Sequence, residues 1–172
     1  MTQQTPWMER RFSFDFTIGL FPIIFSRLEG TIFRLHHLLA NADDERCSIA
    51  TDGWSVKQQI GHLYDMEELW WQRLHDYLKE RQMLTTADLS NAKTHNGNHN
   101  EATLELLANR FLVERQKLLE AIYTLNASEL SQTAIHPRLQ QSMRLIDALY
   151  FVAEHDDHHL AAVSMLLRKP VS

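Results

Sequence analysis

The sequence predicts an all-α protein built as a four-helix bundle. Two observations predict this class. Apolar residues recur at spacings of three and four over four long stretches, and the 172 residues hold only five glycines and four prolines. An apolar fraction of 44% and a charged fraction of 23% are typical of a globular protein. A chain of this length can bury a sizeable core, so we expect a single domain over residues 1–172.

The first two helices are indicated by their apolar stripes and by residues at their ends. The first is expected over residues 14–40, where Pro22 near the beginning marks either a late start or a kink. A polar connection follows over residues 41–53. The second helix is expected to begin at Ser55, because Gln58 three residues later can complete a capping box.

The last two helices are separated from their predecessors by longer connections. A polar stretch over residues 79–100 is long for a link within one domain. The third helix is expected over residues 101–125, followed by a loop over residues 126–141. The last helix is expected to begin near Ser142 and to end at basic residues before Pro170.

Charge, cysteine content and hydropathy exclude several classes of protein. A net charge of −5 and a pI near 6.0 offer no basic surface for nucleic acid or an anionic membrane. The longest apolar run, residues 18–25, is too short to span a bilayer. The single Cys47 excludes an internal disulfide. With no signal-peptide pattern, we expect a cytoplasmic protein that has neither a nucleic acid nor a membrane as its partner.

A pair of histidines in the last helix is the first candidate for a functional site. His155 and His159 lie four residues apart, on one face and within the apolar stripe. Two imidazoles buried among aliphatic side chains are costly unless their nitrogens are satisfied, and a divalent metal can satisfy them. The alternative is a pair of core histidines that are hydrogen-bonded to carboxylates such as Asp65 or Glu67.

His62 of the second helix is a candidate third ligand, because the geometry of a bundle can place it level with the histidine pair. If the second and last helices were parallel, His62 would lie about 12 Å in height from His155 and His159. If they are antiparallel, His159 lies nearly level with it. Antiparallel packing needs a long crossover between the second and third helices, and residues 79–100 can span a bundle roughly 36 Å long. The sequence therefore predicts an up-down-down-up bundle with a three-histidine site.

Other motifs offer weaker or no candidates. His95 and His99 have the same spacing, but they lie in a stretch rich in Asn and Gly that is a poor helix former. His158 lies near the edge of the stripe, one turn from His155, and is an alternative ligand. The chain has no E-x-x-H motif for a ferritin-like di-iron site, no glycine-rich phosphate loop and no C-x-x-C motif.

Two blocks of the chain resemble the DinB/YfiT-like metalloprotein superfamily. Residues 53–63, Gly-Trp-Ser-Val-Lys-Gln-Gln-Ile-Gly-His-Leu, are similar to the family's Trp-Ser and His-Leu opening of the second helix. Residues 155–163, His-Asp-Asp-His-His-Leu-Ala-Ala-Val, are similar to its H-x-x-x-H segment in the last helix. Residues 136–149 are also similar, so the resemblance spans most of the chain.

The resemblance implies an up-down-down-up four-helix bundle, often a homodimer, with one divalent metal ion held by His62, His155 and His159. Zinc and nickel are the preferred ions for this site. Iron and manganese remain alternatives, because imidazole discriminates poorly among these metals. Some members of the superfamily are similar to enzymes that use low-molecular-weight thiols such as mycothiol or bacillithiol. Others have no established activity.

Three neutral imidazoles leave a metal with its full charge and an open position, which is typical of a catalytic site. We therefore expect a metal-dependent enzyme that activates a thiol or water against a small electrophilic substrate, as a thiol S-transferase or a hydrolase does. Asp65, Glu67 and Asp156 are candidates to orient the rings or move a proton. The alternatives are a non-catalytic metal-binding or dimerisation module with a stress-related role, and a helical protein without metal.

Overall fold

Long helices make up most of the computed structural model, which describes residues 4–50 and 53–168. The four long helices pack against one another, which confirms the four-helix bundle in its coarse form. In chain order the helices and strands are α1 (Phe21–Leu39), α2 (Val56–Leu78), α3 (Ala92–Asn96), α4 (Leu104–Tyr123), α5 (Ala127–Leu130), β1 (Thr133–His136), β2 (Gln141–Arg144) and α6 (Leu145–Arg168).

The first long helix begins later than predicted. Helix α1 starts at Phe21 with Pro22 in its first turn, so the proline marks a late start and not a kink. Proline fits there because its missing N–H would have no partner within the helix. The expectation of a helix from residue 14 is wrong. Phe14 and Phe16 precede the helix and pack against Tyr150 of α6 instead.

The all-α class needs one correction, because a small antiparallel sheet lies where a loop was expected. Strand β1 pairs with β2 in antiparallel register, with Thr133 opposite Arg144 and His136 opposite Gln141. Gln140, in the turn between the strands, has a left-handed backbone with φ of 51°. Strands of four residues contain too few alternations to give a period-two signal. Because β2 occupies residues 141–144, the last helix begins at Leu145 and not at Ser142.

Residues 79–100 form more than a bare connection. They include α3, and a short 3-10 helix, His99–Glu101, begins three residues after α3 ends. Within this segment, the amide of Leu84 donates to the carbonyl of Ile135 in β1. Thr94 and His99 are buried next to α2. The segment therefore supplies two polar side chains to the bundle interior.

Helix α2 contacts the middle of α6 from its first half, and it contacts β2, just before α6, from its last turn. Ser55 and Gln58 form the predicted capping box at the start of α2. Two turns later, His62 Nε2 lies 3.3 Å from Nε2 of His155, near the middle of α6. Near the end of α2, the Tyr77 hydroxyl donates to the carbonyl of Met143, just before α6. Helix α6 reaches Arg168, and the predicted terminator Pro170 lies outside the described residues.

Candidate metal centre

Three histidines lie together in the interior of the bundle. His62 comes from α2, while His155 and His159 come from one face of α6, one turn apart, as their spacing predicts. All three are buried, and one ligand nitrogen of each lies within 4.8 Å of the other two. The structure thus brings together the three residues that were predicted as metal ligands, and we call them the histidine triad.

The outer nitrogens of two of these rings have defined protons. His62 Nδ1 lies 3.0 Å from Thr94 Oγ1. Because the Thr94 hydroxyl donates its own proton to Asp65, its oxygen accepts the Nδ1–H of His62. On the other side, His159 Nδ1 donates to Gln59 Oε1 at 2.6 Å. Both rings therefore direct an unprotonated Nε2 towards the centre of the triad.

Burial keeps the rings uncharged. It lowers the pKa of His62 to about 4, and burial with the neighbouring imidazoles lowers the pKa of His155 and His159 well below the ordinary 6.5. The Nε2 of His155 lies 3.3 Å from that of His62 and 3.2 Å from that of His159. A proton on His155 Nε2 could bond to only one of them. At least one inward lone pair is thus left without a donor among the described residues.

These separations fit a divalent metal ion. Two nitrogens bound at 2.0–2.1 Å to a tetrahedral ion lie about 3.3–3.4 Å apart. The two Nε2 separations at His155 are 3.2 and 3.3 Å. Three neutral imidazoles are also a donor set of catalytic zinc sites, which keep a fourth position open. The residues present could therefore hold a metal ion.

His155 is held by packing more than by hydrogen bonds. Its Nδ1 is buried and has no hydrogen-bond partner in the described part of the chain. Its ring lies edge-on to Trp7 and Trp70, with centroids 5.1 and 5.4 Å away. Trp54 packs against the His62 ring at 4.7 Å. Indole rings thus surround the triad and fix the orientation of the imidazoles.

Of the three predicted carboxylates, Asp65 is the one connected to the triad. Its Oδ2 accepts a hydrogen bond from Thr94 at 3.0 Å and lies 2.8 Å from Nε2 of His99. Thr94 in turn accepts from His62. Asp65 therefore orients His62 through Thr94, without touching the ring itself.

Glu67 and Asp156 bind an arginine and not a histidine. The guanidinium of Arg115 in α4 donates to Glu67 through Nε at 3.1 Å and Nη2 at 2.6 Å, and to Asp156 through Nη1 and Nη2. Thr31 adds a hydrogen bond to Asp156. Although burial opposes it, the two carboxylates raise the pKa of Arg115. We call Arg115, Glu67, Asp156 and Thr31 the Arg115 cluster, and it explains a carboxylate on the apolar stripe of α2.

The other candidate histidines lie outside the triad. His158, the alternative ligand, has its Nδ1 2.9 Å from Nε2 of Gln4 in the N-terminal segment. His95 packs edge-on to Trp54 at 5.7 Å. His99 pairs with Asp65. None of the three belongs to the group of ligand atoms that the described residues bring within reach of one ion.

A pocket of about 380 Å³ opens onto the triad. The three imidazoles form part of its wall, and apolar and aromatic side chains form most of the rest. This size and lining are typical of sites for small molecules. Away from the triad, the pocket is lined by Arg73, His136 and Arg138.

Comparison with known protein families identifies the family to which the chain belongs. Residues 27–163 match the model of the DinB superfamily. The chain belongs to this superfamily. Its fold is similar to that of YfiT from Bacillus subtilis, with 19% sequence identity, 93% of each chain covered and a TM-score of 0.81. YfiT is described as a probable metal-dependent hydrolase with an unusual four-helix bundle topology. No curated protein matches the chain.

Within this DinB superfamily fold, sequence reasoning missed the residues that support the triad. Gln59 lies three residues before His62 on the same helix face, so helical spacing could have found it. Thr94 and His99 had no such signal, because the path of residues 79–100 depends on long-range contacts. Over the described ranges, no helix is both long and apolar enough to cross a membrane.

Proposed function

We propose that the chain binds one divalent metal ion through His62, His155 and His159 and acts on a small molecule in the adjoining pocket. In the proposed reaction a thiol or water attacks an electrophilic centre, as in thiol S-transfer or hydrolysis. The observation that carries the proposal is the set of buried Nε2 atoms, 3.2 and 3.3 Å apart, with inward lone pairs. Zinc or nickel suits an all-imidazole donor set, and iron and manganese remain alternatives.

The residues around the triad have separate tasks in this proposal. When bound, a divalent metal supplies the Lewis acidity that activates water or a thiol near neutral pH. Thr94 and Gln59 keep protons on the outer nitrogens of His62 and His159, which leaves each Nε2 free to bind. Asp65 holds Thr94 in the orientation that this requires. The description of YfiT as a probable metal-dependent hydrolase supports hydrolysis as one of the two reaction types.

Metal content measured by elemental analysis tests the binding step. We expect about one ion per chain in the wild type, and its loss in His62→Ala and His155→Ala. His158→Ala is the matched control, because His158 also lines the pocket but lies outside the triad. An absence of metal from the wild type after reconstitution, or equal metal content in His62→Ala, would contradict the proposal.

Turnover separates an enzyme from a module that only binds metal. Metal-loaded and chelator-treated protein would be assayed with a panel of electrophiles and hydrolysable esters and amides, each with and without a low-molecular-weight thiol. Activity that requires metal supports an enzyme, and its dependence on thiol distinguishes transfer from hydrolysis. No metal-dependent turnover across the panel would favour the non-catalytic metal-binding or dimerisation module.

We also propose that the four long helices run up-down-down-up within one domain over residues 1–172. The contact of His62 with His155 and that of Tyr77 with Met143, together with the long segment between α2 and α4, support this arrangement. A homodimer, which the family resemblance implies, and a cytoplasmic setting, which was predicted from the sequence, remain part of the proposal. Sedimentation of the purified protein tests the dimer.

A further inference from the structure

Two arginines line the pocket, Arg73 and Arg138, and neither has a carboxylate partner within residues 4–50 and 53–168. We call them the arginine pair. Arg73 is only 5% exposed. Its Nε donates to the carbonyl of Thr85 at 3.0 Å, and its Nη1 donates to Nε2 of His136 at 3.0 Å. Both acceptors are neutral groups. A buried guanidinium of this kind normally pairs with an anion.

Arg138 is even less satisfied. Its Nη2 is buried without a hydrogen-bond partner among the described residues. Its Nη1 lies 3.8 Å from the sulfur of Met8, a weak acceptor. The guanidinium also lies over the rings of Phe151 and Trp7, with its carbon 5.7 and 6.0 Å from their centroids. Aromatic faces stabilise the cation but leave its donors free.

The nearest acidic groups are already engaged elsewhere. Asp76, one turn beyond Arg73, accepts two hydrogen bonds from Thr85 and pairs with Arg81. Asp88, at the edge of the pocket, accepts hydrogen bonds from Ser90 and the amide of Ala92. The positive charge in this part of the pocket is therefore not neutralised by a directly bound carboxylate of the described residues.

Burial is the main cause of the pKa shifts of Arg73 and His136, and the charges of the arginine pair add to it. Burial, with a smaller contribution from Arg138, lowers the pKa of Arg73 to about 10, against the opposing effect of Tyr77 and Asp76. Burial and the arginine pair lower the pKa of His136 to about 3. His136 is therefore neutral near pH 7, so it accepts a hydrogen bond from Arg73 and adds no anion to the pocket.

We propose that the arginine pair binds an anionic oxygen group, a carboxylate or a phosphate, at one end of the molecule that the pocket accepts. Guanidinium donors match such groups in both charge and geometry. A ligand anion would supply the partner that Arg138 Nη2 lacks.

The position of the arginine pair defines the shape of the ligand, and this step rests on the proposed function. Arg73 follows His62 by eleven residues on α2, a separation of about 16 Å along the helix axis. Met66, Leu69 and Trp70 line the pocket between them. The substrate class is therefore an elongated small molecule with an anionic end, an apolar middle and a reactive group that reaches the triad.

Isothermal titration calorimetry tests the arginine pair with hexanoate and hexyl phosphate as the anionic probes and hexan-1-ol as the neutral analogue. Metal-free protein is used first, so that a probe cannot bind through a metal ion. We expect one or both anions to bind at least about tenfold more tightly than the alcohol. The comparison of the two anions shows whether carboxylate or phosphate fits better.

Substitution of each arginine tests whether the arginine pair causes the preference for an anion over the alcohol. We expect Arg73→Met and Arg138→Met to reduce it to about twofold or less, because each removes charged donors. Arg110→Met is the matched control, since Arg110 is exposed on α4 and does not line the pocket. Arg138 is only partly buried, so Arg138→Met keeps the test valid if Arg73→Met fails to fold.

Three outcomes would overturn the inference: equal binding of anion and alcohol, no binding of either anion at millimolar concentration, or a preference that Arg138→Met leaves unchanged. A preference that appears only in metal-loaded protein would also overturn it, because it would place the anion at the triad. His62→Ala separates this inference from the proposed function. The anion preference should persist in that variant whether or not the wild type binds metal.

Discussion

The histidine triad and the Arg115 cluster are two buried polar groups in one bundle, and they differ in whether the protein satisfies them. Arg115 is fully buried, yet it donates to two carboxylates, and Thr31 adds a donor to one of these. Among the residues that the structure describes, the inward nitrogens of the triad have only one another as hydrogen-bond partners. Burial of polar side chains is thus common to structural and functional groups, whereas lone pairs without a donor indicate a site for a ligand that the chain does not supply.

The same comparison separates the arginines. Arg115 and Arg73 are both buried and both lie on long helices. Arg115 has two carboxylate partners, while Arg73 has two neutral acceptors and faces a pocket. Residue type and burial alone would assign them the same role. Their partners assign one to the core and the other to a ligand.

Removal of the central arginine should have the largest effect. Arg115→Met leaves Glu67 and Asp156 buried without a counter-charge, so we expect a loss of about 3–5 kcal/mol in the free energy of unfolding. Urea denaturation measures this change. If the cluster is purely structural, metal affinity per folded molecule should stay within about twofold of the wild type.

A triple variant checks the cause of that loss. Arg115→Met combined with Glu67→Gln and Asp156→Asn removes all three charges and should recover at least about half of the stability lost by Arg115→Met alone. A single Arg115→Met variant as stable as the wild type would remove the contrast between the two clusters. So would a triple variant that is no more stable than the single one.

We expect an effect of intermediate size on metal affinity when the hydrogen bonds of Thr94, which orient His62, are removed. Thr94→Val removes the acceptor for His62 Nδ1 and the donor to Asp65 while it keeps the side-chain shape. Loss of such an outer hydrogen bond typically lowers metal affinity by about 10–100-fold. Competition with a chromogenic chelator measures the affinity. Thr94→Ser, which retains the hydroxyl, is the control and should bind within about threefold of the wild type. Equal affinity in Thr94→Val would show that this link does not orient the ring.

The triad could be predicted from the sequence because its information is local. His155 and His159 share a helix face by spacing alone, and His62 follows once a bundle is assumed and the helices are set antiparallel. The capping box of Ser55 and Gln58 is equally local. Each of these residues lies on a long helix whose period fixes the direction of its side chain.

Partners that come from distant parts of the chain could not be predicted in this way. The position of Glu67 on an apolar stripe was recognised, but its partner Arg115 lies 48 residues away on a face that periodicity does not relate to α2. Thr94 and Asp65 meet because residues 79–100 fold back on α2. The strands β1 and β2 also depend on pairing between segments, which short strands do not reveal.

The smallest effect is expected from substitution of Gly61 in α2, which packs against the His99 ring. A Cβ atom on Gly61 would lie 2.2 Å from Cγ of His99, which pairs with Asp65. Gly61→Ala must therefore displace the His99 ring. Overpacking costs about 1–3 kcal/mol, and the better helix propensity of alanine returns up to about 1 kcal/mol. We expect a net loss of about 1 kcal/mol in the free energy of unfolding, measured by urea denaturation, together with weaker metal binding.

Gly30→Ala in α1 is the matched control, because a Cβ atom there has no atom within 4 Å. The same substitution should raise stability by about 0.5–1 kcal/mol through helix propensity alone, and it should leave metal affinity unchanged. Opposite signs at the two glycines would isolate the contact with His99 from the backbone effect. If Gly61→Ala stabilises the protein as Gly30→Ala does, His99 does not pack on α2 in this way, and the path from Asp65 through Thr94 to His62 loses one of its supports.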